Sequence, residues 1–231
     1  MKLKPAIFIQ PHYDDVALSC GGTTAAFARE GCSPHVITVF ASELVDDMVG
    51  DFAAWKHSRW GVHDHVAVTA IRRKEDKAAA NELGASIRWL GTPDAIYRGE
   101  RYTSDAALYG SLHPAEHTLP EFIADELINL PEWRSEAMVF VPLGVGNHID
   151  HQVVFQCGCV LARKGLEVRA YEDLPYAIHT PSSLDERLRE VGERLLGEDR
   201  FEITQSLASK LEAVSRYESQ LSDNSLAFLI S

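Results

Sequence analysis

The sequence predicts an α/β fold, in which helices cover both faces of a doubly wound, mostly parallel sheet. Short apolar segments rich in β-branched residues alternate with longer segments whose apolar residues recur at helical spacing. Two of the short segments, residues 6–10 (AIFIQ) and 35–40 (HVITVF), are apolar along nearly their whole length, as strands buried on both faces are. A helical segment lies between them, and this strand–helix–strand order is typical of parallel sheets.

The rest of the chain continues the same alternation. Further strands are predicted at residues 87–90, 137–143 and 167–171. Helices are predicted at residues 18–30, 69–84, 119–130, 152–164 and 205–221. Residues 91–117 contain several prolines and glycines and are predicted to form a long loop, which in compact proteins is usually a wall or lid of a binding site. We expect residues 1–231 to form a single domain.

The charge balance limits the classes of partner. The 231 residues contain 34 acidic and 22 basic side chains, for a formal net charge of −12. Such an excess of negative charge argues against binding to nucleic acid or to an anionic membrane surface, since phosphate binding needs positive faces. No run of apolar residues is long enough to span a membrane, and the first residues lack a signal-peptide pattern. We therefore expect a cytoplasmic protein that acts on neutral or cationic small molecules.

Two motifs carry ligand-type side chains. The first, PHYDD at residues 11–15, follows the first predicted strand directly, and the second, NHIDH at residues 147–151, follows the strand predicted at 137–143. In open α/β sheets, sites form beyond the carboxyl ends of the strands, so we expect the two motifs to meet at one edge. Two histidines and one carboxylate, with a fourth position left open for water, are typical of a catalytic zinc site.

Each motif also has a simpler interpretation. Asp14 and Asp15 could cap the following helix, because a helix N-terminus favours negative charge. His148 and His151 could be solvated histidines of a surface loop. The presence of both motifs at the ends of two separate predicted strands favours the metal site.

The motifs resemble those of a known family. PHYDD followed by LSCGG, with NHIDH much later, resembles the PIG-L/LmbE-type N-deacetylases. Residues 72–91 (RRKEDKAAANELGASIRWLG) and 210–220 (KLEAVSRYESQ) are similar to the middle and closing helices of that family. The resemblance implies a Rossmann-like fold of the LmbE type and a zinc hydrolase that removes an acyl group from an amine, usually the N-acetyl group of a glucosamine unit.

The resemblance also implies roles for individual side chains. His12, Asp15 and His151 would hold the metal, and Asp14 would be the general base. His148 would stabilise the oxyanion or act as the acid.

Other positions complete the expected site. Asp150 would stand behind His148 and orient it, and Arg72 matches a position that contacts substrate in relatives, although the adjacent Arg73 could take that role. From its place after the strand at 87–90, Asp94 is expected to contact sugar hydroxyls. Glu172 or Asp173, after the strand at 167–171, could also face the cleft.

The chain departs from the family pattern at two positions. Tyr13 stands where many relatives have proline. Gly146 stands where some relatives have a tyrosine that helps to hold the oxyanion, and Tyr13, Tyr97 and Tyr102 are candidates to replace it.

The sequence therefore predicts a zinc-dependent N-deacetylase acting on a small N-acetylated amino sugar or glycoconjugate. Iron(II) also suits two histidines and a carboxylate. A homo-oligomer is possible. The alternatives are an amidase acting on larger N-acyl or thiol-conjugate amides, and a non-catalytic module that binds a metal or a sugar. Residues 63–65 (HDH) and the Cys157–Cys159 pair are not expected to bind metal, the first as surface residues and the second as buried thiols.

Overall fold

The core of the molecule is a five-stranded sheet in which every neighbouring pair of strands is parallel. This is a computed structural model, and it describes residues 4–44, 49–59 and 65–220. The strands are β1 (Ala6–Gln10), β2 (His35–Thr38), β3 (Ser86–Trp89), β4 (Met138–Pro142) and β5 (Glu167–Tyr171). Their order across the sheet is β3-β2-β1-β4-β5. The predicted doubly wound α/β fold is confirmed.

The helices lie between and around the strands. The α-helices are α1 (Asp15–Arg29), α2 (Asp51–Arg59), α3 (His65–Glu82), α4 (Asp105–Leu108), α5 (Leu119–Ile128), α6 (Ile149–Arg163), α7 (Tyr176–His179), α8 (Pro181–Val191) and α9 (Leu207–Ser215). Across the described ranges, no helix has the length and the apolarity needed to cross a membrane.

The apolar strands are explained by helices on both faces of the sheet. Successive residues of a strand point to opposite faces, so both faces need apolar side chains when both are covered. Phe8 of β1 packs in a cluster with side chains of α1, α3 and α9. Its neighbours Ile7 and Ile9 pack in a second cluster with side chains of α5 and α6.

Two of the helices that begin earlier than the sequence predicted do so at a motif. Helix α1 begins at Asp15 rather than at residue 18, and α6 begins at Ile149 rather than at residue 152. The polar motifs interrupt the apolar periodicity that marks a helix, so the sequence placed them in loops. Acidic side chains are nonetheless favourable in a first helical turn, because the free N–H groups there carry partial positive charge.

Other boundaries also differ. Helix α3 begins at His65, four residues before the predicted start. The predicted helix at 205–221 is shorter in the structure, where a 3₁₀ turn at Thr204–Ser206 leads into α9. Residue 221 and residues 63–64 of the HDH segment lie outside the described residues. The predicted long loop at 91–117 contains α4 and three short 3₁₀ helices, Ala95–Tyr97, Gly99–Arg101 and Pro114–Glu116.

The strand order places the two motifs side by side. From β1 the chain crosses to β2 on one side, whereas β4 pairs with β1 on the other side. A crevice forms where the strand order reverses in this way, outside the carboxyl ends of the two strands. Residues 11–15 leave β1 and residues 143–148 leave β4 at this point.

Candidate metal centre

The first motif turns one carboxylate into the crevice. Asp15 Oδ2 accepts a hydrogen bond from the main-chain N–H of His12 at 2.7 Å and lies 3.4 Å from His12 Nδ1. The turn is held from behind by Gln10, whose Oε1 accepts from the Val16 N–H at 2.9 Å. Asp14 stands at the N-cap position of α1, but its side chain makes no capping hydrogen bond within the part of the chain that the structure describes. The capping interpretation therefore fails for Asp14.

The second motif is buried. His148 is the N-cap residue of α6, and its Nδ1 accepts a hydrogen bond from the Asp150 N–H at 3.2 Å. The preceding Asn147 has a φ of 65°, which makes the sharp turn from β4 into the helix. His148 and His151 are 6% and 1% exposed, so they are not the solvated loop histidines of the simpler interpretation.

The side chains of the two motifs meet as predicted. The ring of His12 lies 4.8 Å from that of His148 and 5.4 Å from that of His151, measured between ring centroids. One nitrogen from each of these three histidines lies within 4.8 Å of the other two. Asp15 bridges two of them, because its Oδ1 lies 3.4 Å from His151 Nε2 while its Oδ2 faces His12.

The donor chemistry around Asp15 fits a divalent metal. His12 Nδ1, an Asp15 oxygen and His151 Nε2 converge, and each histidine has a carboxylate behind its other ring nitrogen. Asp150 Oδ2 lies 3.0 Å from His12 Nε2, and Asp173 Oδ1 lies 2.6 Å from His151 Nδ1. A carboxylate behind a metal-ligating histidine fixes the tautomer that leaves the inner nitrogen free to bind. His12, Asp15 and His151 would therefore hold the metal.

A second donor group is less suitable for a cation. His12, Asp94 and Asp150 also have donor atoms within 4.8 Å of one another. Asp150 Oδ1, however, already accepts a hydrogen bond from Arg98 Nη1 at 2.7 Å. The guanidinium group supplies the positive charge there, and it would repel a metal ion.

The ionisation of the ligand side chains follows from their crowding. Burial lowers the pKa of His12, but Asp94, Asp15 and Asp150 outweigh this, and the pKa is raised well above its ordinary value. Burial raises the pKa of Asp15, but the neighbouring His151 and His12 outweigh it, so that this pKa is lowered. A divalent cation would take the place of the histidine protons in compensating these carboxylates.

The side chains assigned to proton transfer have complementary properties. Burial and the charge of Asp15 raise the pKa of Asp14, and a higher pKa suits the role of general base that the sequence predicts for it. Burial and the charge of His12 lower the pKa of His148 well below its ordinary value. Because His148 Nδ1 accepts from the Asp150 N–H, a neutral His148 carries its proton on Nε2 and can donate it.

The carboxylate of Asp150 does not take the place that the sequence suggested. The carboxylate interacts with Arg98, with the Ala95 N–H and with His12. The contact between Asp150 and His148 is instead a hydrogen bond from the main-chain N–H of Asp150 to His148 Nδ1. Asp150 thus lies behind His12, a side chain expected to hold the metal, and not behind His148.

A small pocket beside the centre contains the predicted substrate contacts. It is lined by Arg72 and Asp94 together with Tyr13, Phe40, Ser42, Leu44, Val68, Thr69 and Tyr97. Arg72 Nη2 lies 3.8 Å from Asp14 Oδ1, and its guanidinium lies 4.9 Å from the Tyr13 ring centroid. Arg73 instead bonds the Glu43 carboxylate at 3.0 Å and the Ala41 carbonyl at 2.8 Å. The geometry therefore favours Arg72 over Arg73 as the substrate contact.

Another tyrosine occupies the space beside Gly146. A Cβ atom at Gly146, whose φ is 83°, would lie 2.7 Å from the ring of Tyr176. The Tyr176 ring is also edge-on to the His151 ring, with centroids 5.9 Å apart, and Tyr109 is edge-on to His148 at 5.4 Å. Sequence reasoning did not name either tyrosine.

Three other side chains that support the site were missed or left open. Asp173, rather than the exposed Glu172, faces the site and also accepts from the N–H groups of Gly144 and Val145. Arg98 reaches Asp150 from the segment predicted as a loop. Asp76 is buried and accepts hydrogen bonds from Gln10, Thr38, Trp89 and Tyr217. The sequence around these residues is itself polar, with RRKEDK at 72–77, YRGER at 97–101 and YED at 171–173, so no local pattern marks them as buried.

Several known proteins that are similar to this chain in sequence or structure are deacetylases. The 2'-N-acetylparomamine deacetylase of Niallia circulans is 30% identical over an alignment covering 74% of this chain and 66% of that protein. The enzyme of the same name from Streptomyces fradiae is 32% identical over 74% of this chain and 57% of its own length. A deacetylase of the teicoplanin biosynthesis pathway has a TM-score of 0.77 and 26% identity, covering 97% of this chain and 89% of the other.

The chain thus spans less than two thirds of the length of these two curated relatives, 66% of one and 57% of the other. The PIG-L family model, described as GlcNAc-PI de-N-acetylase, matches residues 7–161. This region contains both motifs and the side chains that converge on Asp15. On this match, the chain belongs to the PIG-L family.

Proposed function

We propose that this protein is a metal-dependent hydrolase that removes the N-acetyl group from an amino sugar or its conjugate. The observation that carries the proposal is the convergence of His12, Asp15 and His151 next to a carboxylate that is not needed as a ligand, Asp14. A hydrolytic centre needs both a site for a Lewis acid and a base beside it. The family match and the deacetylase relatives support the same reaction.

The reaction adds water across the amide bond and gives acetate and a free amine. A divalent metal in this site would polarise the amide carbonyl and lower the pKa of water bound to it. Asp14 accepts a proton from the attacking water as the new C–O bond forms. The Nε2–H of His148 donates to the carbonyl oxygen as negative charge develops there, or to the nitrogen as the C–N bond breaks.

The pocket beside the centre is small, but its lining offers polar groups and aromatic rings to a hydroxylated substrate. Arg72 offers hydrogen-bond donors and Asp94 offers acceptors, while the rings of Tyr13, Phe40 and Tyr97 line the same space. A few placed polar groups among aromatic walls are typical of small-molecule sites. The acidic chain, with a net charge of −12, also tolerates the cationic amine that deacetylation releases. Relatives that act on acetylated paromamine agree with an amino-sugar substrate.

Zinc is the proposed metal. Two imidazoles and one carboxylate with an open fourth position are typical of catalytic zinc. Iron(II) binds a similar set of donors and is the alternative metal. The proposal is tested by preparing the metal-free protein and loading it with zinc or, under anaerobic conditions, with iron(II).

Acetate release is then measured with N-acetylglucosamine, 2'-N-acetylparomamine and matched substrates bearing longer acyl groups. We expect acetate from the acetylated amino sugars, and we expect Asp14→Asn to keep its metal but lose turnover by about 10²–10⁴-fold. Preferential cleavage of the longer acyl groups would support a general amidase instead. Binding of these sugars without turnover, by the wild type as well as by Asp14→Asn, would indicate a non-catalytic module. Both this result and a preference for longer acyl groups would overturn the proposal.

A further inference from the structure

A chain of buried charged side chains runs from the segment between β3 and α5 to the back of the metal centre. It starts at Glu116, whose Oε1 accepts from Arg98 Nε at 3.0 Å. Arg98 Nη1 donates to Asp150 Oδ1 at 2.7 Å, and Asp150 Oδ2 lies 3.0 Å from His12 Nε2. This chain of charged side chains therefore ends at Nε2 of His12, the nitrogen that faces away from the expected metal position.

The position of Arg98 is fixed on several sides. Its guanidinium lies 5.1 Å from the Phe40 ring centroid and 5.2 Å from that of Tyr102. Nη1 also donates to the Pro93 carbonyl at 3.0 Å. The hydroxyl of Tyr102 donates to Glu116 Oε2 at 2.9 Å, so the partner of Arg98 is itself held in place.

This arrangement solves a physical problem for Asp150. Its side chain is fully buried, and a buried carboxylate without a partner costs several kcal/mol. Arg98 compensates that charge on Oδ1, which leaves Oδ2 to accept from the Ala95 N–H and from His12. A carboxylate fixed in this way holds the His12 ring with Nε2 outward and Nδ1 toward Asp15.

We propose that Arg98 is a positioning residue of the metal centre, which holds the Asp150 carboxylate in place so that His12 presents Nδ1 to the metal. The inference rests on the metal centre of the proposed function. It assigns to the segment at 91–117 the task of building the rear of that centre, in addition to lining the pocket through Asp94 and Tyr97.

The experiment measures zinc affinity, which requires no substrate. Zinc is titrated into the metal-free protein in competition with a chromophoric chelator, first for the wild type and then for Arg98→Met and Arg98→Lys. We expect the methionine variant to bind zinc roughly 10–100-fold more weakly, the usual effect of losing a supporting partner of a ligand histidine. Lysine keeps the positive charge but lacks the two separate guanidinium N–H groups that bond Glu116 and Asp150 at once, so we expect an intermediate loss of zinc affinity.

Arg101→Met is the matched control. Arg101 lies on the same segment, donates to the Arg98 carbonyl at 3.1 Å and lies 3.6 Å from Glu116 Oε1. Its removal takes away a positive charge near Glu116 and leaves the pair between Arg98 and Asp150 intact. We expect its zinc affinity to stay within about twofold of the wild type, since surface charge pairs contribute little.

Circular dichroism of the metal-free proteins shows whether each variant is folded. A folded Arg98→Met that binds zinc as tightly as Arg101→Met overturns the inference. If the methionine variant does not fold, Arg98→Lys decides, and wild-type zinc affinity in that variant overturns it. Weakened zinc binding in the Arg98 variants together with a wild type that hydrolyses no acetamide would leave this inference standing while the proposed function fails.

Discussion

Replacing Asp173 with asparagine tests whether the carboxylates behind the histidines control metal binding. Asp173 is 1% exposed and accepts three hydrogen bonds. Its Oδ2 accepts from the N–H groups of Gly144 and Val145 at 2.8 and 2.9 Å, and its Oδ1 lies 2.6 Å from His151 Nδ1. Asparagine has the same shape but only one acceptor oxygen.

The substitution changes the tautomer of His151. To keep both main-chain hydrogen bonds, the amide oxygen must take the place of Oδ2, and the NH₂ group then faces His151 Nδ1. Two donors cannot face each other, so Nδ1 becomes the acceptor and the ring proton moves to Nε2. Nε2 is the nitrogen that faces Asp15, 3.4 Å away, and a protonated nitrogen cannot bind a metal.

The expected effect follows from the contacts that are lost. Loss of a supporting partner typically weakens metal binding about 10–100-fold, which corresponds to about 1.4–2.7 kcal/mol. The metal-free protein also loses a charge-assisted hydrogen bond, worth about 1.5–3 kcal/mol of unfolding free energy. The two effects are separable, because the first is measured by zinc titration and the second by urea unfolding without metal.

Glu172→Gln provides the matched control. Glu172 is adjacent to Asp173 but exposed, so the same loss of one negative charge there should leave zinc affinity unchanged. The reasoning is refuted if Asp173→Asn binds zinc within about twofold of the wild type. A loss of stability alone, with normal zinc affinity, would show that Asp173 serves only to hold the turn after β4.

Three further outcomes are expected. Because burial and Asp15 raise the pKa of Asp14, and because only the ionised base accepts a proton, kcat/KM should fall as the pH drops through this pKa. Asp14→Asn should lose this acidic limb of the pH profile, and an unchanged limb would exclude Asp14 as its source. Arg72→Met should raise KM by about 10–100-fold, as expected when a charged hydrogen bond is lost, without changing zinc affinity, and an unchanged KM would contradict the pocket assignment. Gly146→Ala should lower the free energy of unfolding by about 1–3 kcal/mol, because its Cβ would lie 2.7 Å from the Tyr176 ring at a φ of 83°. If urea unfolding gives the variant the same free energy of unfolding as the wild type, the Tyr176 ring can move aside.

Local patterns were enough to predict the framework and the approximate positions of the strands, although three of the five have other bounds in the structure, at His35–Thr38, Ser86–Trp89 and Met138–Pro142. The strand at residues 6–10 agrees with the structure, because a strand buried on both faces needs apolar side chains at successive positions and AIFIQ has them. The bounds of the strand at 167–171 (EVRAY) also agree, although this edge strand is mostly half-buried. The motifs could be placed at one edge because parallel strands share their carboxyl ends. The start of α6 could not be predicted, since its first turn is occupied by His151 and other site residues instead of the apolar residues that mark a helix.

The sequence by itself determined the sheet, the two motifs and the chemical types of the ligands, because these depend on periodicity and on residues close together in the chain. Only the tertiary structure decided which carboxylate stands behind which histidine. His12 and Asp150 are 138 residues apart, and His151 pairs with Asp173 from the next strand end. The same holds for Arg98 and Tyr176, whose places depend on how separate segments pack around the crevice. Charge compensation inside a protein is set by distances in space, and no local pattern in the chain records them.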